Sequence, residues 1–272
     1  MQEKIELLKN WINESNNIVF FGGAGVSTES GIPDFRSKDG LYNMKYEYSP
    51  EEILSHHFFV NNTEKFYKFY KEKMNSLKYK PNITHEKLAA LEECGKIKAI
   101  ITQNIDGLHQ KAGSKNVYEL HGSVLRNYCV KCNKFYDAEY IFNNKGIPKC
   151  SCGGIIKPDV VLYEEGLNNE IITNSIFKIQ TADLMIVAGT SLTVQPAASL
   201  INYFRGKQLV LINKDSTQYD YKADMVINEK LGKVLTIHYV KIRTKNSYFY
   251  TTTSFFCKKI CLKNNNIKHS QS

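Results

Sequence analysis

The strongest constraint on the fold is a repeated pattern of short, unbroken apolar runs, each closing on a turn. Ile18-Val19-Phe20-Phe21 ends in Gly22-Gly23-Ala24-Gly25. A run this short, bounded by glycines, reads as a buried strand entering a tight turn. Ala99-Ile100-Ile101-Thr102, Val117-Tyr118-Glu119-Leu120, Leu184 to Ala188 and Leu209-Val210-Leu211-Ile212 repeat the pattern. Helical spacing appears at Ile5, Leu8 and Ile12, and again from Thr84 to Cys94, where Leu88 and Leu91 form the apolar face. Buried strands alternating with helices predict an α/β fold, an open parallel sheet with helices on both faces.

Two segments interrupt the alternation. Residues 41–80 are rich in Tyr, Phe, Lys and Glu, and predict helices with an aromatic face. Residues 122–157 carry Cys129, Cys132, Cys150 and Cys152 with little helical pattern, whereas Cys94, Cys257 and Cys261 lie apart. Together they predict a small inserted module. Cys129-x₂-Cys132 and Cys150-x-Cys152 are separated by 17 residues. Four thiolates complete a tetrahedral zinc site and leave no open position for water, so one structural zinc is expected. A redox dithiol is the rival reading.

Charge and hydropathy exclude several classes. The chain holds 36 Lys and Arg against 27 Asp and Glu, but seven of the basic residues and none of the acidic ones lie in 236–272. The 29 basic and 27 acidic residues left in 1–235 make a nearly neutral body, which does not support a general nucleic-acid surface. No apolar stretch approaches the ~20 residues of a membrane-spanning helix. The start, Met1-Gln2-Glu3-Lys4-Ile5-Glu6, lacks the apolar segment of a secretory signal. A cytoplasmic protein is expected. The tail from about Thr236 has neither sustained periodicity nor an acidic residue, and is expected to be a poorly ordered extension rather than a polyanion anchor.

Glycines after a strand let the backbone approach a pyrophosphate, but the G-x-G-x-x-G of a plain dehydrogenase is incomplete here because Thr28 stands at its third glycine. The continuation is more specific: Gly25-Val26-Ser27-Thr28-Glu29-Ser30-Gly31-Ile32-Pro33-Asp34-Phe35-Arg36, then Thr102-Gln103-Asn104-Ile105-Asp106-Gly107-Leu108-His109, then Leu120-His121-Gly122-Ser123. The four cysteines, Lys157-Pro158-Asp159-Val160-Val161, Gly189-Thr190-Ser191-Leu192 and Ile212-Asn213 follow. In this order, over about residues 1–235, the chain closely resembles the sirtuins, NAD-dependent protein lysine deacylases.

The resemblance implies a Rossmann-like sheet with a zinc-ribbon and helical module. The large NAD-binding part covers about 1–40, 82–121 and 157–235. The small module covers about 41–81 and 122–156, with the ribbon at 126–156. It implies that Gly23, Ala24 and Gly25 let the NAD phosphates approach the backbone, and that Thr28, Phe35 and Arg36 belong to a loop over the cofactor. Gln103 and Asn104 would lie at the ribose, with Ile105 and Asp106 at the nicotinamide carboxamide. Gly189, Thr190 and Ser191 would lie beside phosphate or ribose, and Asn213 near the adenosine.

His121 is the expected acid–base group, and Asn104 the expected aid in ordering ribose or water. The mechanism implied is attack of the acetyl oxygen on the nicotinamide ribose, loss of nicotinamide, and an alkylamidate intermediate. His121 then activates a ribose hydroxyl, leading to free lysine and 2′-O-acetyl-ADP-ribose. Val160 would contact the acyl-lysine on an edge where the acetylated peptide adds as a strand. Two departures stand out. Tyr163-Glu164-Glu165 replaces the family's Phe-Gly-Glu, and the segment Phe66 to Met74 has tyrosines but no Arg, which favours acetyl over succinyl. The alternatives are a mono-ADP-ribosyltransferase and a non-enzymatic zinc-containing, NAD-responsive binding protein.

Overall fold

The computed structural model describes residues 1–35, 40, 42 and 46–236, together with the backbone of 242–244 and 247–249. Helix α1 (Gln2–Glu14) precedes β1 (Ile18–Gly22), which enters the glycine turn. Helices α2 (Pro50–Ile53), α3 (His56–Asn61) and α4 (Thr63–Lys73) follow. Then come α5 (Ile83–Glu93), β2 (Ile97–Thr102), α6 (Leu108–Lys111) and β3 (Val117–Glu119). A second segment holds β4 (Gly122–Cys129), β5 (Phe135–Asp137), α7 (Ala138–Asn143) and β6 (Ile156–Val160). The body closes with α8 (Asn169–Thr181), β7 (Leu184–Ala188), β8 (Gln208–Ile212), β9 (Met225–Ile227) and α9 (Leu231–Thr236). The expected disorder of the tail falls outside the described residues, apart from the paired backbones of Ile242–Thr244 and Ser247–Phe249.

Six strands form one parallel sheet in the order β3-β2-β1-β7-β8-β9. The chain winds outward one way from β1 and the other way from β7, so a topological switch point lies between these two strands. In open α/β sheets the ligand crevice opens there, outside the carboxyl ends.

The sheet is buried on both faces because side chains alternate along each strand. Ile18, Phe20, Ile100, Leu184, Ile186, Val210 and Ile212 pack with Leu8 and Ile12 of α1, Leu88 and Leu91 of α5, and Val234 of α9. Val19, Phe21, Ile101, Met185, Val187 and Leu211 face the other way, onto Ile179 of α8 and the 3₁₀ turns at Ala197–Tyr203. Local capping sets the helix starts. Asn82 accepts the amides of Thr84 and His85 at α5, while its own amide donates to His85 Nδ1. Asn168 accepts the amides of Glu170 and Ile171 at the start of α8.

The small module has its own core. β5-β4-β6 form an antiparallel sheet. Against it pack Phe58, Phe59, Phe66, Tyr67 and Tyr70 from α3 and α4, with Ile141 from α7. Tyr70 stacks between Phe66 and Phe142, and Tyr67 donates its hydroxyl to Ile156 O. Phe35, Ile105 and Val160 join this cluster, so the aromatic core reaches the mouth of the crevice. Among the described residues no helix is long and apolar enough to cross a membrane.

Candidate active site

At the switch point the turns after β1 and β7 interlock. Gly23 N–H donates to Ala188 O at 3.2 Å, and Gly25 N–H to Gly189 O at 2.8 Å. A Cβ on Gly23 would stand 2.7 Å from Thr190 Cβ, and one on Gly25 would stand 2.7 Å from Gly189 Cα. Gly189 itself has φ +59° and no room beside Val26 N. Gly23, Gly25 and Gly189 therefore admit no larger residue, and Ala24 lies between the two glycines of the β1 turn.

Polar groups converge beside it. Gln103 Nε2 donates to Thr190 Oγ1 at 3.0 Å, and Thr190 N–H donates to Asn213 Oδ1 at 2.9 Å. Asn213 Nδ2 is buried without a hydrogen-bond partner. Ser191 Oγ pairs with Thr193 Oγ1 on the exposed rim, and Thr28 Oγ1 donates to Gly25 O. Phe35 packs against Tyr42, with ring centroids 5.5 Å apart. Arg36 lies outside the described residues.

A second polar chain lies deeper. Asn104 Nδ2 donates to Ser27 Oγ at 3.1 Å, and Ser27 Oγ–H donates to Asp106 Oδ2 at 2.6 Å. Asp106 Oδ1 accepts Leu108 N–H at 2.9 Å. Burial pushes the Asp106 carboxyl up, against the opposing pull of these two donors. Ser27 is 1% exposed and joins the two residues expected to act together. Sequence reasoning did not single it out.

His121 follows β3 at the carboxyl edge. Gln103 O lies 3.0 Å from its Nδ1. A carbonyl can only accept, so Nδ1 carries the proton and Nε2 keeps its lone pair. Burial holds the imidazole below its ordinary range, with the Gln103 carbonyl pulling the other way. The His121 carbonyl accepts Val161 N–H at 3.0 Å, which sets the histidine beside the β6 end that carries buried Val160.

The loop after β6 is knitted to α2 and α3. Tyr163 N–H donates to Leu54 O and His56 N–H to Tyr163 O, at 2.9 and 3.0 Å. Glu165 accepts from Lys157 and from Leu162 N–H, and lies 2.8 Å from His56 Nδ1. Glu164 adopts φ +75°, a left-handed conformation, while its carboxylate accepts His57 N–H at 2.9 Å. The Tyr163 hydroxyl lies 2.6 Å from that of Tyr42.

The four cysteine sulfurs lie within 4.8 Å of one another, in a group drawn from both ends of the ribbon. Cys129 and Cys152, and likewise Cys132 and Cys150, are 3.5 Å apart. These spacings are near the ~3.8 Å edge of a tetrahedron with Zn–S bonds of ~2.3 Å. Gly154 leaves room for the metal side, since a Cβ there would meet Cys129 Sγ at 2.6 Å. The all-sulfur donor set fits zinc. The glycine crossing, with its side-chain donors and an unpartnered buried amide, fits a dinucleotide.

The model of the Sir2 family matches residues 23–196. The "NAD-dependent protein deacetylase" of Clostridium perfringens is 64% identical over 239 residues, covering 86% of this chain and 98% of that protein. A solved Sir2 holding a deacetylated p53 peptide and 3′-O-acetyl-ADP-ribose superposes with a TM-score of 0.79 at 41% identity, covering 85% of this chain and 95% of that one. A Sir2 homologue in complex with NAD gives a TM-score of 0.77 at 42% identity, covering 85% and 90%. By sequence and by fold, the chain belongs to the Sir2 family.

Proposed function

We propose that this protein is an NAD-dependent protein lysine deacetylase. Acetyl-lysine, NAD and water become lysine, nicotinamide and 2′-O-acetyl-ADP-ribose. The observation that carries this reading is His121: a neutral imidazole with its Nδ1 proton committed to Gln103 O, between the glycine crossing and the Val160 strand. That geometry leaves Nε2 to take a proton from a ribose hydroxyl.

The bound NAD supplies an electrophilic ribose carbon with nicotinamide as its leaving group. Gly23, Ala24, Gly25, Gly189, Thr190 and Ser191 line the phosphate and ribose path, where backbone amides meet negative charge. The free amide of Asn213 faces the adenosine end. Ile105 and Asp106 hold the carboxamide, and Asn104 is oriented toward ribose or water by Ser27. Phe35 and Thr28 cover the cofactor and exclude water. Zinc on Cys129, Cys132, Cys150 and Cys152 is structural, because all four positions are filled by sulfur.

The acetylated peptide adds along the strand at Val160, and backbone pairing accounts for tolerance of many sequences. A small uncharged acyl group suits the module. Tyr67 and Tyr70 are buried among aromatics, Lys71 donates to Asn144 O and Gly146 O, and Lys73 pairs with Glu72. Lys71, whose ammonium lies 5.7 Å from the Tyr67 ring centroid, is thus already engaged. Residues 1–235 act as one catalytic unit, with the cleft between the large sheet and the module. A cytoplasmic setting suits cysteines kept reduced for a metal.

The test is mass spectrometry of an acetyl-lysine peptide incubated with the protein, with and without NAD. One nicotinamide released per lysine freed, only with NAD, is expected. ADP-ribose appearing on protein without deacetylation would replace this reading with ADP-ribosyl transfer.

A further inference from the structure

We propose that Arg126 is a positioning residue for this reaction, a strut that holds the His121 end of the site and the peptide-binding strand in register. This rests on the deacetylase reading for its kinetic consequences, and on the described geometry for its mechanics.

β4 pairs with β6 at Gly122↔Val160 and Ser123↔Asp159, then loses register until Asn127↔Pro158. Val124, Leu125 and Arg126 are thus bulged out opposite adjacent residues of β6. Such bulges re-aim side chains. Val124 N–H donates to Ile105 O at 3.0 Å. Leu125 covers Gly107, where a Cβ would lie 2.4 Å from Leu125 Cδ1. The bulge therefore leans on the segment that carries Ile105 and Asp106.

Arg126 closes the bulge. Its Nη1 donates to Glu119 Oε2 at 2.6 Å and its Nε to Asp159 Oδ2 at 2.7 Å. Glu119 is 5% exposed and stands two residues before His121. Asp159 stands directly before Val160. A guanidinium is planar, with its donors in a fixed fork, so the two carboxylates it grips are held at a set separation. Lysine, a single point charge, cannot reproduce that span. The ion pairs join β3, which leads into His121, to β4, whose bulge leans on Ile105, and to β6, the substrate strand.

The test compares Arg126→Met, Arg126→Lys, Glu119→Gln and Asp159→Asn in the full chain, with zinc content checked in each. A misplacement of ~1 Å at reacting groups costs up to ~100-fold in rate. Arg126→Met is expected to raise KM for acetyl-peptide about tenfold and lower kcat about tenfold, with KM for NAD within about twofold. Asp159→Asn is expected to act mainly on peptide KM and Glu119→Gln mainly on kcat, with Arg126→Lys in between.

Hydrogen exchange gives a readout independent of turnover. The amides of Val124 and Val161 are expected to exchange faster in Arg126→Met, while those of β7 keep their protection. Kinetic constants within twofold of wild type, or a fall in kcat with both KM values unchanged, would overturn the proposal. Should Arg126→Met fail to fold, Arg126→Lys and Asp159→Asn decide by the same criteria. A wild-type protein without NAD-dependent deacetylation defeats the functional reading alone. Unchanged protection at Val124 and Val161 then defeats the strut as well.

Discussion

At the scale of single residues, the site depends on the protonation state of His121. Its Nδ1–H is tied to Gln103 O and burial lowers its affinity for a proton. The base form is the neutral one, so the rate rises with pH through the His121 pKa and then levels off. Because that pKa lies below the free value of 6.5 in the unliganded protein, the acidic limb of kcat/KM is expected below pH 6.5. A limb centred above 7 in the pH–rate profile would contradict the burial argument. His121→Ala is expected to lower deacetylation by about 10²–10⁴-fold with zinc content unchanged, the range typical for loss of a general base. Ser27→Ala removes the hydroxyl between Asn104 and Asp106 and leaves two buried polar groups short of a partner. A loss of about 1–3 kcal/mol in kcat/KM or stability is expected, read from steady-state rates beside thermal melts.

At the scale of elements, the ribbon and β6 stand or fall together, because β4 carries Cys129 and pairs along β6. Cys150→Ser, or chelation of the metal, is expected to abolish zinc binding and loosen β4–β6, since binding of a structural metal is coupled to folding. Zinc analysis and the protection of β6 amides check this. Gly122→Ala is expected to destabilise strongly: the residue has φ +73° and a Cβ would lie 1.9 Å from Asp159 O. The main sheet was legible because β1, β2 and β7 are short apolar runs buried on both faces. The cysteine spacing exposed the metal site for an equally local reason. What joins these parts was not legible. Ser27 meets Asn104 and Asp106 across 77 and 79 residues, and Arg126 meets Asp159 across 33. No periodicity encodes such pairings. Glu164 breaks a local rule outright, because a glutamate at φ +75° is held there by contacts such as its bond to His57 N–H.

At the scale of the whole molecule, acid stability follows from a buried histidine pair that takes no part in the proposed chemistry. His85 and His109 meet with ring centroids 4.8 Å apart, and His109 also packs edge-on against Phe20 of the central strand. Burial lowers His85 to about 4. Burial, and secondarily His85, lowers His109 to about 3. Both are neutral when folded, while the unfolded chain binds protons below pH 6.5. Their contribution is therefore fully present above about pH 6.5 and is lost as pH falls toward those folded values. Between pH 7 and 5 the loss amounts to about 2 kcal/mol for each histidine. Asp106 works the other way, since its raised carboxyl favours the folded state as pH falls. Urea unfolding from pH 7 to 5 is expected to show a steep decline in stability. His109→Leu removes one of the buried histidines with a lowered pKa and is expected to lessen that decline by about 2 kcal/mol, whatever it does to stability at pH 7. An unchanged slope in the variant would mean that the pair is protonated without cost in the folded protein.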